Sequence, residues 1–368
     1  MEKIIFTVTN DLSYDQRMNR ICGTLAGAGY RVTLVGCSKS NSVPLEKKGY
    51  VQKRLFTFFR SGFGFYAEYN IRLFIYLFFS STDAFCSIDL DTAIPIWLAS
   101  AGRRKKCVMD AHEYFTQQKE IISRPAVHRK WLWIEKTILP KFIKGYTVSA
   151  SIAGVFREIY GLNYEIIRNM PLLKTHHASR PINDKMILYQ GAVNEARGLE
   201  FLIPCMKKID AQLIICGDGN FMTQLKELIR LNNLQEKVLL MGSVLPDQLE
   251  FIAGEAYLGL NLVENIGLNQ YYSLANKFFD YIHSGLPQVT MNFPEYTKIN
   301  NEFEIAVLID DLQQDTITGA INSLLKNTTL YSRLHENCIR ARDCLNWQEE
   351  EIKLVSFYHS LFKGTEQD

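Results

Sequence analysis

The chain has 368 residues, of which 47% are hydrophobic and 22% charged, so its composition is that of an ordinary globular protein. At roughly 150 residues per domain, this length favours two domains. Residues 1–170 carry 24 Lys and Arg against 14 Asp and Glu, whereas the remainder carries 17 against 25. The basic first half suits an anionic membrane surface or a phosphate-bearing acceptor.

The cysteines and the amino terminus indicate a reducing compartment. Eight cysteines are scattered without a CxxC pair or a Cys/His cluster at zinc spacing, so no metal site is expected. The opening MEKIIFTV lacks the parts of a signal peptide, and the most hydrophobic stretch, residues 73–79, is far shorter than the roughly 20 residues of a spanning helix. These features predict a cytoplasmic protein, with peripheral association at the inner face of the membrane left open.

Strand and helix patterns alternate from the first residue. Residues 4–9 and 31–37 read as strands around a helix at 17–30, and further apolar strands are predicted at 84–88, 106–109, 145–148 and 164–167. This order predicts a Rossmann-like, doubly wound domain over residues 1–170. The aromatic segment 56–79 favours helices buried in that domain, with partial insertion into a bilayer interface as the alternative.

A second series of elements follows a polar segment at 171–184, which reads as a linker. Strands are predicted at 186–189, 211–216, 238–241, 257–262, 288–291 and 306–309, within a second Rossmann-like domain over residues 185–345. Residues 346–368 form a last helix whose first turn is rich in Glu, as suits the helix dipole. The predicted fold class is therefore α/β, with two tandem doubly wound domains facing a cleft.

Several enzyme classes are excluded by missing motifs. A dinucleotide-dependent oxidoreductase needs a glycine-rich turn after its first strand, and residues 9–12 (TNDL) contain no glycine. The nearest match, GDGNFM at 217–222, has Met in place of the third glycine. No P-loop, HExxH or GxSxG sequence occurs, which argues against P-loop, zincin and hydrolase chemistry.

The segment SLANKFFDYIHSGLP at 273–287 resembles the donor motif of family 4 glycosyltransferases, in which a helix starts at the diphosphate and carries an acid toward the ribose. First-turn N–H groups at residues 274–276 would face phosphate oxygens. Lys277 and Asp280 are three residues apart and share a face, so Lys277 suits the phosphates and Asp280 the ribose hydroxyls. The resemblance implies diphosphate contacts at Ser273, Leu274, Ala275, Asn276, Lys277 and Arg197.

Other motifs follow in the order of that family. YQG at 189–191 with ARGLE at 196–200 resembles the loop whose cation holds the diphosphate, a role that suits the forked guanidinium of Arg197. CGDG at 216–219 resembles the family's next glycine turn, and GSV at 242–244 resembles the loop that lies against the base. The implied glycine and base loops contain Gly191, Gly217, Gly219, Gly242, Ser243 and Val244.

Two first-domain motifs complete the resemblance. DAHE at 110–113 is similar to the family's D-x-H-E sequence, which implies that His112 contacts the sugar or orients the acceptor while Asp110 or Glu113 fixes the ring. NWQE at 346–349 resembles the start of a last helix that crosses back to the first domain. TND at 9–11 and YDQR at 14–17 resemble an acceptor-side loop, with Asn10, Asp11, Asp15 and Arg17 as its implied contacts.

The chain departs from the family at three positions. Ala192 stands where many relatives have Arg, Tyr272 replaces the first Glu of E-x7-E, and Asp280 replaces the second. Arg197, Lys277 or Arg17 is expected to supply the positive charge that relatives direct at the diphosphate from the position of Ala192.

The resemblance implies a glycosyltransferase of the GT-B type that moves a sugar from a nucleoside diphosphate sugar to an acceptor hydroxyl, with retention and without a required metal. No separate cofactor is expected, because the nucleotide sugar is the substrate. A glycan or lipid-linked acceptor in cell-surface polysaccharide assembly is expected, and no nucleic acid. Two alternatives stay open: a nucleotide-sugar 2-epimerase of the same fold, disfavoured by Tyr272, and a non-catalytic nucleotide-sugar binder.

Overall fold

The computed structural model describes residues 1–13, 15–40, 42–174 and 185–363. The chain divides into two compact units, one comprising residues 1–169 with 348–368 and the other residues 170–347. Residues 175–184, which make up most of the predicted linker, and residues 364–368, the end of the predicted last helix, lie outside the described residues.

The first unit is built on a seven-stranded sheet in which every strand pair is parallel. In chain order its strands are β1 (Lys3–Thr7), β2 (Arg31–Cys37), β3 (Val51–Leu55), β4 (Ala84–Ile88), β5 (Lys106–Ala111), β6 (Lys144–Thr147) and β7 (Glu165–Ile166). The sheet order β3-β2-β1-β4-β5-β6-β7 reverses direction at β1. Ligands of doubly wound sheets bind outside the carboxyl ends of the strands at this point.

Helices cover this sheet and bury one face each. They are α1 (Gln16–Gly27), α2 (Gly62–Phe79), α3 (Ala93–Arg103), α4 (Lys119–Ile122), α5 (Pro125–Ile138) and α6 (Ala150–Tyr160). The apolar residues of α1 recur at helical spacing and are buried, which is why this segment is helical rather than extended. The aromatic helix α2 buries Phe65, Tyr69, Leu73 and Leu77 at a spacing of four, so only one face of it enters the core.

The second unit contains a six-stranded parallel sheet of order β10-β9-β8-β11-β12-β13, which reverses at β8. Its strands are β8 (Met186–Gln190), β9 (Gln212–Cys216), β10 (Val238–Gly242), β11 (Leu258–Asn261), β12 (Gln288–Met291) and β13 (Ala306–Ile309). Its helices are α7 (Leu199–Cys205), α8 (Met222–Leu231), α9 (Pro246–Glu255), α10 (Leu268–Tyr272), α11 (Asn276–His283), α12 (Pro294–Phe303), α13 (Gln314–Lys326) and α14 (Thr328–Arg342).

The last helix, α15 (Trp347–Lys363), belongs to the first unit from Gln348 onward. Its Tyr358 ring is buried against Phe6 of β1 and Tyr146 of β6, at centroid distances of 5.9 Å and 6.4 Å. The carboxylate of Glu350 accepts a hydrogen bond from the backbone N–H of Arg168 at 2.7 Å. These contacts make α15 part of the first unit's core, as the motif at 346–349 predicts.

The predicted fold class is confirmed, with differences at element ends. The edge strand β3 is absent from the sequence prediction because Gln52, Lys53 and Arg54 break its apolar pattern, and an edge strand needs less burial than a central one. Within the described residues, no helix is long and apolar enough to cross a membrane.

Candidate functional site

The carboxyl ends of β8, β9 and β10 are joined by backbone hydrogen bonds. The Gly191 N–H donates to the carbonyl of Cys216 at 2.9 Å, and the Gly217 N–H donates to the carbonyl of Gly242 at 2.7 Å. A Cβ atom on Gly217 would lie 1.8 Å from the Gly191 carbonyl oxygen, and one on Gly219 would lie 2.3 Å from a carbonyl oxygen of the β8 loop. Only glycine fits these two positions, so the predicted glycine loops form one tightly packed edge.

Tyr281 fixes α11 against this edge. Its buried hydroxyl lies 3.3 Å from the carbonyl oxygens of Leu188 and Leu260 and accepts the N–H of Gln190 at 3.2 Å. A Cβ on Gly259 would lie 2.6 Å from the Tyr281 ring, so the ring sits directly on the backbone of β11. The orientation of α11 therefore places Lys277 and Asp280 beside the end of β8.

Lys277 and Arg197 form a pair of neighbouring cations. The Lys277 amine lies 3.7 Å from the centroid of the Tyr189 ring. Burial lowers the pKa of Lys277 well below its ordinary value, the charge of Arg197 lowers it further, and Asp280 offsets part of this effect. Within the described residues, no ion pair joins either cation to a carboxylate. Two half-buried cations of this kind suit a ligand with two negative charges, such as a diphosphate.

Asp280 is held by Gln190, a residue that the motif comparison did not assign to the site. The Gln190 Nε2 donates to Asp280 Oδ2 at 2.8 Å. Gln190 is only 4% exposed, and its Oε1 is buried without a partner among the described residues. A polar residue at the buried end of a strand is the signal that could have pointed to it. The bond orients the Asp280 carboxylate at the sheet edge, where a ligand hydroxyl could share it.

The start of α11 corrects the predicted phosphate-facing amides. The helix begins at Asn276, and the N–H of Ala275 donates to the Tyr296 hydroxyl at 3.0 Å. Leu274 and Ala275 therefore precede the helix, because extended backbone at Ala275 (φ −70°, ψ 139°) delays its first turn. The Ser273 hydroxyl donates to the carbonyl of Gln270 at 3.1 Å.

Tyr272 ends α10, and Glu264 comes earlier in the same connection. The Glu264 N–H donates to the carbonyl of Ala196 at 3.0 Å, which joins this connection to the loop of Arg197. Glu264 also lines a cavity of about 620 Å³ together with Met291 and Asp310. The loop path thus brings an acid next to the Arg197 loop, although the spacing to Asp280 differs from the family motif.

The first unit holds a second cluster, centred on Asp110 at the end of β5. Arg17 Nη2 lies 2.8 Å from Asp110 Oδ1, and His112 Nε2 lies 2.9 Å from Asp110 Oδ2. Burial raises the pKa of Asp110, but the charges of Arg17 and His112 outweigh burial and hold it below its ordinary value. Burial lowers the pKa of His112, yet Asp110 raises it above its ordinary value.

The position of Arg17 corrects the expectation that it could supply diphosphate charge. Its side chain is 5% exposed, and besides the pair with Asp110 it donates to the carbonyl of Ile167 at 3.2 Å. A guanidinium paired with a buried carboxylate cannot turn to a phosphate without breaking that buried ion pair. Arg197 and Lys277 are the better candidates.

Asp89 joins this cluster, and the sequence comparison did not single it out. It follows β4 at φ 55°, a conformation that non-glycine residues rarely adopt. Its Oδ1 accepts the backbone N–H of His112 at 2.8 Å and that of Glu113 at 3.3 Å. Burial raises the pKa of Asp89 to about 8. Glu113 itself is exposed and accepts a hydrogen bond from Gln118.

The predicted acceptor-side loop is occupied by local hydrogen bonds. Asp15 caps α1 by accepting the N–H of Met18 at 2.9 Å, and the Asn10 amide donates to Asp15 at 2.6 Å. Asp11 accepts the N–H of Ser13 at 3.1 Å. These bonds give the loop a defined shape, and they account for Asn10, Asp11 and Asp15 structurally.

Residues 174–341 match the family model for glycosyl transferases group 1. Among curated proteins, an uncharacterized glycosyltransferase of Methanocaldococcus jannaschii, MJ1059, is 29% identical over 154 residues. That match covers 40% of this chain and 36% of the relative, so the matched part spans about a third of the relative's length.

Solved structures of similar fold cover nearly the whole chain. Sucrose-phosphate synthase of Thermosynechococcus elongatus has a TM-score of 0.85 at 15% identity, covering 99% of this chain and all of its own. Anabaena HepE, in complex with UDP and glucose, has a TM-score of 0.77 at 12% identity, and WaaG, a glycosyltransferase involved in lipopolysaccharide biosynthesis, has 0.72 at 15%. Each of these last two matches covers 98% of this chain and all of the other.

Proposed function

We propose that the protein transfers a sugar from a nucleoside diphosphate sugar to an acceptor hydroxyl, because residues 174–341 match the family model for glycosyl transferases group 1. The observation that carries the proposal is the pair of cations Lys277 and Arg197 beside Asp280 at the carboxyl edge of the second sheet. In this assignment the cations hold the diphosphate and Asp280 holds the ribose. UDP is the first nucleotide to test, because the similar Anabaena protein was solved with UDP.

The chemical role of this pair follows from where charge develops. As the bond between sugar and diphosphate breaks, the leaving diphosphate gains negative charge, which preorganised cations stabilise more in the transition state than in the ground state. Lys277 is held close to Arg197 before the ligand arrives, so this stabilisation needs little reorganisation. The negative charge of the diphosphate also offsets the effect of Arg197, which lowers the pKa of Lys277.

In the first unit, His112 is proposed to contact the donor sugar or to orient the acceptor hydroxyl. Asp110 holds one ring nitrogen through the 2.9 Å contact, and Asp89 holds the backbone of the same loop. A histidine fixed at both ring and backbone has a defined orientation, as positioning of a reacting group requires.

The finer features of the reaction belong to this proposal as well. They are retention of anomeric configuration, independence of metal ions, and a glycan or lipid-linked acceptor in cell-surface polysaccharide assembly, at the cytoplasmic side of a membrane. The match to the group 1 model and the likeness in fold support them. Transfer that persists in EDTA and a product whose anomeric configuration matches the donor are the expected results.

A thermal-shift panel of UDP-, GDP-, ADP-, CMP- and dTDP-sugars tests the donor class, because a ligand that binds the folded state raises the melting temperature. At least one donor should shift the melting curve, and that donor should then be consumed with a suitable acceptor. Asp280→Asn should reduce the shift without changing the melting temperature of the free protein. If no nucleotide sugar shifts the curve, the donor site is wrongly assigned. Binding without transfer or hydrolysis would favour a non-catalytic binder.

A further inference from the structure

An apolar stripe lies on the solvent side of α2. Phe63, Ile71, Ile75 and Phe79 are separated by multiples of four residues, and each step of four turns about 40° around the helix, so they form a row that winds over its outward side. All four side chains are exposed, with Phe63 at 78% and Phe79 at 82%. The stripe extends over about 24 Å, from the rise of 1.5 Å per residue. A contiguous apolar surface of this kind marks an interaction site.

The exposed side of helix α5 carries a tryptophan side chain that is surrounded by Lys and Arg side chains. Trp133 is 64% exposed, and Arg129, Lys130 and Lys136 lie three or four residues from it, on the same side of the helix. The acidic residue of α5, Glu135, is buried, where it accepts hydrogen bonds from a threonine and a tyrosine. The outward side of α5 therefore carries three positive charges that no carboxylate of the same helix offsets.

The two helices adjoin. The Lys130 amine lies 5.3 Å from the centroid of the Phe63 ring, and the rings of Tyr66 and Trp131 meet edge to face at 5.4 Å. The apolar stripe of α2 and the cations of α5 thus form one continuous surface. We refer to it as the aromatic-basic face, which comprises Phe63, Ile71, Ile75, Phe79, Arg129, Lys130, Trp133 and Lys136.

We propose that the aromatic-basic face docks on the surface of an anionic lipid bilayer. Segments 56–80 and 119–144, which contain this face, hold nine Lys or Arg against three Glu, so the face complements anionic headgroups. An exposed Trp beside apolar side chains suits the boundary between headgroups and acyl chains. Helix α2 would lie in the plane of the interface, with its stripe inserted at the acyl boundary.

Two other occupants fit the face less well. A second copy of the chain would bring the same cations against each other, and like charges in an interface oppose association. A nucleic acid would neutralise the cations but would leave the isoleucines of the stripe in water. Only a surface that is anionic outside and apolar beneath matches both parts of the face.

The bilayer is then the partner on which the protein would meet a lipid-linked acceptor. Only that acceptor rests on the proposed function; the docking itself does not. The test is cosedimentation of the full chain with vesicles of phosphatidylcholine, with or without phosphatidylglycerol, in the absence of donor and acceptor. We expect binding to the anionic vesicles, weak binding to phosphatidylcholine alone, and loss of binding as salt rises. Sugar transfer to a soluble acceptor is assayed separately, so the failure of one does not imply the failure of the other.

Two variants test the cations and the apolar side chains of the aromatic-basic face separately. The triple variant Arg129→Gln, Lys130→Gln, Lys136→Gln should bind anionic vesicles on the order of a hundredfold more weakly, at about fivefold per cation. The double variant Ile75→Ser, Phe79→Ser should bind at least about tenfold more weakly. All five side chains are exposed, so both variants should fold, which circular dichroism and a melting curve check.

Matched controls come from exposed residues of the second unit. Phe251→Ser removes a comparably exposed aromatic side chain, and Lys207→Gln, Lys226→Gln, Lys326→Gln removes the same charge as the triple variant. Both controls should bind vesicles like the wild type. The proposal is overturned if the wild type ignores anionic vesicles, or if the face variants bind as well as the controls. It is also overturned if the face variants instead lose binding to an RNA oligonucleotide or lose self-association while vesicle binding is unchanged.

Discussion

Asp89 supports the backbone of the His112 loop, and its removal has a calculable cost. Its Oδ1 accepts the N–H groups of His112 and Glu113 at 2.8 Å and 3.3 Å. Each of these hydrogen bonds to a half-buried or exposed amide contributes about 0.5–1.5 kcal/mol, so Asp89→Ala should lower the free energy of unfolding by about 1–2 kcal/mol. Alanine does not relieve the backbone, because a φ of 55° favours glycine. Asp89→Asn keeps an acceptor oxygen in place and should cost much less.

The two variants also differ in their dependence on pH. Burial raises the pKa of Asp89 to about 8, so between about pH 4 and pH 8 the folded protein holds a proton there that the unfolded chain has released. Stability from this group therefore falls as pH rises through that window. Asp89→Asn cannot titrate, so urea unfolding between these pH values should show a smaller loss for this variant than for the wild type.

Steady-state kinetics measure how the substitution of Asp89 affects activity. Because Asp89 acts through the His112 loop and not on the nucleotide, Asp89→Ala should lower kcat with little change in the donor KM, and Asp89→Asn should recover most of the loss. The reasoning is refuted if Asp89→Ala is as stable as the wild type. It is equally refuted if Asp89→Asn loses as much stability and kcat as Asp89→Ala.

Three further changes test other contacts. Arg17→Met should lower the free energy of unfolding by about 1.5–3 kcal/mol in urea titrations, because it removes a charged hydrogen-bond partner of the buried Asp110 and leaves His112 as its remaining partner; a loss under about 1 kcal/mol would contradict the buried pair. Binding of a nucleoside diphosphate should raise the lowered pKa of Lys277, so at pH values between its pKa in the free and in the bound protein binding should be accompanied by proton uptake. Calorimetry in buffers of different ionisation enthalpy measures this uptake, which Lys277→Met should abolish. Gly217→Ala should abolish nucleotide binding in the same titration, since its Cβ would lie 1.8 Å from a carbonyl oxygen, whereas the control Gly254→Ala meets nothing within 4 Å and should bind normally.

Much of the fold is readable from the sequence because buried parallel strands are continuous apolar runs. Four strands have the predicted ends, namely Arg31–Cys37, Ala84–Ile88, Gln288–Met291 and Ala306–Ile309, and the other predicted strands differ by one or two residues at an end. The apolar pattern does not predict the edge strand β3, because its exposed and half-buried side chains form no apolar run. For the aromatic helix α2 the sequence predicts a helix but not its buried face, because apolar residues occur on all sides of it.

For the site, motif position predicts where a residue lies better than what it contacts. Lys277 and Asp280 do share a face of α11 beside the end of β8. Arg17 pairs with Asp110, which lies 93 positions away in the chain, and no local sequence pattern predicts such a contact. Gln190 was missed for a related reason, since its role comes from a strand and a helix that meet only in the folded chain.

The central claim is that the carboxyl edge of the second sheet binds a nucleoside diphosphate through Arg197 and Lys277. Isothermal titration of UDP, GDP, ADP and dTDP into the wild type, the double variant Arg197→Gln, Lys277→Met and the control Lys226→Gln tests it most directly. We expect at least one of these nucleotides to bind the wild type and the control alike. The double variant should bind it about a hundredfold or more weakly, because two charge-assisted contacts are lost. Equal affinity of the double variant and the wild type, or no binding of any nucleotide to the wild type, would contradict the claim.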